Sequence, residues 1–183
     1  MGLCISKDKL ITKKIHNNKG VLVYEGHVIK EDNKYIRNGI GIEYINNKVS
    51  FRGQWLNNLM HGMGILLYQS GKIYFEGKFY KDQFFEGKEY YNNIGNTIKY
   101  IGNFTNNLYD DINAKLYYPS GDIKFHGHMK DNNFLSGQLY DIDRVLIYEG
   151  EFNNKNNLYH GKGILYDKKS AARGSVLPNS TDH

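Results

Sequence analysis

The chain has 183 residues, a formal charge of +5, 20 glycines, 16 tyrosines, two prolines and one cysteine. A single cysteine excludes an internal disulfide and fits a reducing compartment. No apolar run approaches the roughly 20 residues a transmembrane helix needs, and the basic N-terminal stretch lacks the apolar core of a secretory signal.

The first segment, residues 1–20, carries the clearest chemistry. Met1-Gly2-Leu3-Cys4-Ile5-Ser6 fits the pattern for N-myristoylation, in which Met1 is lost and the unhindered amine of Gly2 is acylated. Cys4 stands two residues away, where a second, reversible S-palmitoyl chain is usually carried. One myristoyl chain gives membrane binding of only about 10⁴ M⁻¹, so stable attachment needs a second signal. Lys7, Lys9, Lys13, Lys14 and Lys19 stand against Asp8 alone, a net +4 that leaves the remaining 163 residues at +1. Each such lysine adds about 1 kcal/mol near an anionic membrane surface. Because the excess sits in one short segment, it does not mark a nucleic-acid-binding face. The expectation is a basic membrane-anchoring arm over 1–20, the plain alternative being a merely solvated basic segment.

From residue 21 to about 167 a unit recurs every 23 to 27 residues, marked by an aromatic, any residue, then glycine. The marker glycines are Gly26, Gly53, Gly77, Gly102, Gly127 and Gly150, and two residues after each comes a large apolar side chain: Val28, Trp55, Phe79, Phe104, Met129, Phe152. A fixed period of this length signals stacked repeats. Positions i, i+2 and i+4 share one strand face, so the glycine leaves room there for neighbouring rings. Glu25, Arg52, Glu76, Glu149 and Glu151 fall on the opposite, solvated face.

Turn residues recur in phase. Asn57-Asn58, Lys81-Asp82, Asn106-Asn107, Asp131-Asn132 and Asn154-Lys155 follow the marker glycines, and Asn and Asp tolerate left-handed backbone. A second strand then runs to a second turn at Asn46-Asn47, Gln69-Gly71, Asn92-Asn93, Pro119-Gly121 or Asp141-Asp143. Each repeat thus reads as a β-hairpin, and the whole as an antiparallel meander of about a dozen strands.

The run Tyr148-Glu149-Gly150-Glu151-Phe152 with His160-Gly161-Lys162-Gly163-Ile164-Leu165-Tyr166 resembles a MORN (membrane occupation and recognition nexus) repeat. So does Phe51 to Gly71, with His61-Gly62-Met63-Gly64. The resemblance covers about four-fifths of the chain. It implies an elongated, twisted single-layer sheet, frequently dimeric, serving as a scaffold at membranes or the cell cortex. The chain departs from the pattern in four places. Repeat one has an insertion around Lys30-Asn33, repeats three and five keep only Gly87 and Gly137, and repeat four has Asp110-Asp111-Ile112-Asn113 in place of the glycine pair, where a bend or a different surface is expected. The 22 asparagines and the scarcity of proline are similar to proteins of malaria parasites, and that likeness implies the inner membrane complex of the pellicle.

Enzymatic readings fare poorly. Gly39-Ile40-Gly41, Gly62-Met63-Gly64 and Gly161-Lys162-Gly163 occupy one slot of the repeat and open no helix, unlike dinucleotide loops. His61 and His160 are equivalent hairpin positions rather than metal ligands, Cys4 has no fixed activating partner, and Asp110-Asp111 reads as a turn. The tyrosines at 44, 68, 90, 117, 140 and 166 read as packing, part of which can stay exposed as a partner groove. After Asp167 the repeat is lost, and a disordered tail over 168–183 is expected.

The sequence therefore predicts an all-β meander of about six hairpin repeats over 21–167 between flexible tails. It predicts a non-enzymatic scaffold on the cytoplasmic face of a membrane, held by Gly2 and Cys4 lipids. Protein partners and a possible homodimer are expected, with no cofactor, metal or nucleic acid. The alternative is a module whose repeat body itself binds phosphoinositide or regulates a lipid kinase.

Overall fold

The computed structural model describes residues 9–92 and 95–167. They form fourteen strands: β1 Ile11–His16, β2 Leu22–Glu31, β3 Lys34–Ile45, β4 Lys48–Leu56, β5 Leu59–Leu67, β6 Ile73–Tyr80, β7 Gln83–Tyr90, β8 Ile98–Thr105, β9 Leu108–Tyr109, β10 Asp111–Tyr117, β11 Ile123–Lys130, β12 Asn133–Tyr140, β13 Leu146–Phe152 and β14 Tyr159–Leu165. The strands follow chain order in one open antiparallel sheet, with the short β9 pairing only β8. This is the all-β single-layer meander that the periodicity predicts. The chain divides into two compact units, Met1–Gln83 and Phe84–His183.

In the first unit the marker glycines line up across the strands: Gly26 faces Gly41, Gly41 faces Gly53, Gly53 faces Gly64 and Gly64 faces Gly77. In the second, Gly87 faces Gly102, Gly127 faces Gly137, Gly137 faces Gly150 and Gly150 faces Gly163. The row exists because a ring lies across it. A Cβ on Gly53 would sit 2.6 Å from Cζ of Phe51, and one on Gly41 or Gly163 would run into the ring of Tyr24 or Tyr148. Each ring thus covers its own glycine and the cross-strand one, burying an aromatic face against the sheet's own backbone.

The ring-bearing face is the core. Tyr24, Phe51, Phe75, Tyr100 and Phe125 are fully buried, and Val28, Trp55, Phe79, Phe104, Met129 and Phe152 lie beside them. Successive rings meet edge to face: Tyr24 with Trp55 at 5.6 Å, Phe51 with Phe79 at 5.1 Å, Phe125 with Phe152 at 5.7 Å. Such pairs add about 0.5–1.5 kcal/mol each beyond burial.

The turns are tight. Asp32-Asn33, Asn46-Asn47, Asn57-Asn58, Lys81-Asp82, Asn106-Asn107 and Asp131-Asn132 all have both residues left-handed, φ between 44° and 69°. Two such residues make the type I′ turn, whose twist matches that of the flanking strands. The last hairpin differs from expectation. Asn154-Lys155 is not its two-residue turn; a wider loop closes through Asn153 N–H to the Leu158 carbonyl at 2.8 Å, with Asn157 left-handed. The extra residues between Phe152 and Tyr159 require the longer loop.

Repeat four keeps the row by substitution. The ladder breaks at Asp110 between β9 and β10, and Ala114, fully buried, stands opposite Gly127 where the other repeats place glycine. The basic segment also differs from a free arm over all of 1–20. Ile11 pairs with Val28, Lys13 with Gly26 and Ile15 with Tyr24, because alternating Ile11, Lys13 and Ile15 supply one strand face.

Candidate interaction surfaces

Gly2, Cys4 and Lys7 lie outside the described residues. Lys9, Lys13, Lys14 and Lys19 are all exposed. Lys19 sits in the turn before β2, its N–H donating to Asn17 Oδ1 at 2.9 Å. On β1 the two lysines alternate faces. Lys14 Nζ is 3.6 Å from Glu25, and Lys13 Nζ lies 5.1 Å from the centre of the Tyr35 ring. Glu25 also accepts the Tyr44 hydroxyl at 2.5 Å. That hydrogen bond, with the Lys14 charge behind it, holds the Glu25 carboxyl below its ordinary range. The Lys14–Glu25 pair is solvated and contributes little to stability. Both lysines thus stay exposed at this edge of the sheet.

The repeat-structural residues sit on the ring-bearing face: Trp55, Phe79, Phe104 and Phe152 are buried against neighbouring rings. A second ring layer went unread in the sequence. Nine residues after Tyr100 comes Tyr109, stacked on it at 3.8 Å, and nine after Phe125 comes Phe134, stacked at 4.1 Å. Tyr159 stacks on Tyr148 at 4.1 Å. In the first repeat Arg37 takes this place, its guanidinium 4.9 Å from the Tyr24 ring and 4.8 Å from Trp55, paired with Glu43 at 2.7 Å. The clue was the aromatic two residues past the turn in repeats three to six, Phe84, Tyr109, Phe134 and Tyr159.

Turn side chains clasp the preceding hairpin at this same layer. The N–H groups of Arg37, Met60, Tyr109 and Phe134 donate to the side-chain oxygens of Asn58, Asp82, Asn132 and Asn157 at 2.6–2.8 Å. In the second unit the buried Glu89 carboxylate takes Tyr109 Oη at 2.8 Å and Lys99 Nζ at 2.7 Å. Both of its oxygens are satisfied, which is what a buried carboxylate requires.

Burial pushes the Tyr24 phenol up to about 12, with Arg37 partly opposing. Tyr100 and Tyr148 move in the same direction, again chiefly through burial. Each phenol donates to the carbonyl three residues on: Tyr24 to His27 at 2.7 Å, Tyr100 to Asn103 at 2.9 Å and Tyr148 to Glu151 at 2.8 Å. These tyrosines act as neutral struts at physiological pH.

Two shallow hollows open on the surface. One, of about 240 Å³, is lined by Ile40, Gln54, Leu56 and His61, and the other, of about 460 Å³, by Glu86, Lys88, Asp111 and Lys115. His61 packs 5.4 Å from Tyr80, and its buried Nδ1 has no hydrogen-bond partner. Among the described residues no three His, Cys, Asp or Glu side chains come together to hold a metal. Asp110 and Asp111 flank the ladder break, where Asp111 accepts from the N–H groups of Asn103 and Asn113 at 2.8 and 2.7 Å. The second-strand tyrosines are engaged as well: Tyr140 donates to Gln138 at 2.8 Å, and Tyr68 packs on Tyr74 at 4.8 Å.

The MORN repeat family model matches residues 51–73 and 148–170. The two matches fall on β4–β6 and on β13–β14, and they support a MORN-repeat protein, a kind of repeat consistent with membrane association. No curated protein matches the chain. No helix among the described residues is long and apolar enough to cross a membrane.

Proposed function

We propose that this chain is a non-enzymatic scaffold held at the cytoplasmic face of a membrane, plasma or cortical, with Gly2 and Cys4 as its lipid sites and the repeat sheet binding protein partners. One observation carries the reading: the lysines that follow the acylation motif are built onto the folded body, Lys13 and Lys14 being exposed on β1. Lipid on Gly2 and Cys4 brings this edge against anionic headgroups, and the lysines supply the electrostatic second signal that a single acyl chain lacks. The MORN matches agree with this reading at the level of membrane association.

The test is fractionation from cells that acylate the protein. Gly2→Ala releases it into the soluble fraction, and Cys4→Ser leaves weaker, salt-sensitive attachment. Full membrane retention of Gly2→Ala overturns the anchor.

Because β1 belongs to the sheet, a second reading has its own support: the cationic edge binds anionic lipid without acylation. Flotation of unacylated full-length protein with phosphatidylserine vesicles separates the two. The scaffold reading expects the protein to stay at the bottom of the gradient at physiological salt, and the lipid-binding reading expects it to float.

A further inference from the structure

Five of the six repeats are covered on their C-terminal side by the first strand of the next, and among the described residues the last is not. In repeats four to six the second-layer ring measures that cover. Tyr109 is 8% exposed and Phe134 7%, whereas the equivalent Tyr159 is 47% exposed, beside Leu158 at 63% and Leu165 at 48%. The covers of repeats four and five share one side-chain contact. Asn132 accepts from Tyr109 N–H and donates its own N–H to the Tyr109 carbonyl at 3.2 Å, Asn157 accepts from Phe134 N–H, and Phe152 meets both Phe125 and Phe134 edge to face. Among the described residues β14 pairs only with β13.

We infer that the outer edge of β14 is a docking site for an extended strand of another polypeptide, with the pattern aromatic–any–glycine–any–aromatic leading into an asparagine or aspartate turn. The repeat register dictates the occupant. Its glycine falls opposite Gly163, whose missing Cβ space is filled by the Tyr148 ring. Its second aromatic sets an edge against Tyr148 and Tyr159, as Phe152 does against Phe125 and Phe134. Its turn side chain accepts from Tyr159 N–H. Main-chain hydrogen bonds supply affinity, and the ring slot and glycine supply selectivity. Residues 168–183 contain no Phe, Tyr or Trp, so that segment does not provide the pattern.

This inference deepens the scaffold reading by naming the kind of partner. Its test is run in solution without membrane, so its failure leaves the anchor experiment untouched. The probe is a fluorescein-labelled peptide copying residues 98–109, Ile98 to Tyr109, which carries Tyr100, Gly102, Phe104 and the Asn106-Asn107 turn. Added to full-length protein, it is expected to bind one to one and to slow hydrogen exchange across Tyr159–Leu165. A peptide with Gly102→Val, and separately the protein variant Tyr159→Ser, should each bind at least about tenfold more weakly. Thermal midpoints show whether Tyr159→Ser folds, and the peptide variant tests the same contact on native protein. Equal binding by the Gly102→Val peptide, absence of protection on β14, or a free protein already dimeric with β14 protected overturns the inference.

Discussion

At one end of the sheet β1 lays Ile11 and Ile15 opposite Val28 and Tyr24 and puts Lys13 and Lys14 at the rim. At the other end β14 carries Tyr159 and Leu165 half exposed, with no strand after it among the described residues. Both ends terminate the same repeat, so the difference separates two requirements of such a sheet. Its rings need an apolar neighbour on each side, and its edge needs something that discourages promiscuous pairing. Lysine on an edge strand supplies the second, because pairing would bury or oppose its charge. The first repeat meets both needs with a strand outside the repeat pattern, and the last, among the described residues, leaves its ring layer half exposed.

Truncating the second-layer ring tests this contrast most strongly. Tyr109→Ala should cost about 4 kcal/mol, since it empties a covered slot and strips Glu89 of a hydrogen bond. Tyr159→Ala should cost about 1 kcal/mol, measured for both by denaturant unfolding; equal losses would abolish the distinction between covered and open repeats. A substitution in the glycine row comes next. Gly64→Val, which drives a branched side chain into the Phe51 ring, should cost about 3 kcal/mol, whereas Ala114→Gly should cost only about 1 kcal/mol.

The alkaline limb sharpens the picture near β1. The unfolded Tyr24 phenol ionises near pH 10 while the folded one holds its proton to about 12, so the folded state binds more protons between these values. Stability contributed by this group is full below pH 10 and falls as pH rises toward 12, by on the order of 2 kcal/mol. Tyr24→Phe should flatten that part of a stability–pH profile, and an unchanged slope would remove Tyr24 as its source. The smallest effect belongs to the rim. Lys13→Ser with Lys14→Ser should change stability by under about 0.5 kcal/mol, since the Lys14–Glu25 pair is exposed. Sedimentation velocity at rising concentration should nevertheless show new self-association, as an edge without its charges is open to pairing.

Much of the fold was legible because two periods are written into the chain. The 23–27-residue recurrence of aromatic–any–glycine gives the repeat, and alternation within each copy gives the strand face. The Asn and Asp turns were legible for a local reason, namely that few other residues accept two successive left-handed conformations. The sixth turn was misplaced because two asparagine pairs lie between Phe152 and Tyr159, and local preference does not choose between them. The second ring layer was missed because Arg37, Met60, Tyr109, Phe134 and Tyr159 differ chemically, and their equivalence lies in where the hairpins place them.

The sequence by itself determined the repeat, its strand faces and its glycine row, since each depends on residue type at fixed spacing along the chain. Only the tertiary structure decided that residues 11–16 join the sheet, that Ala114 stands in for a glycine, that Glu89 is buried between Tyr109 and Lys99, and that Tyr159 is left half exposed. These outcomes depend on which strand lies beside which. Burial and pairing are properties of the neighbour as much as of the residue, and a repeat's neighbour is known only once the sheet is assembled.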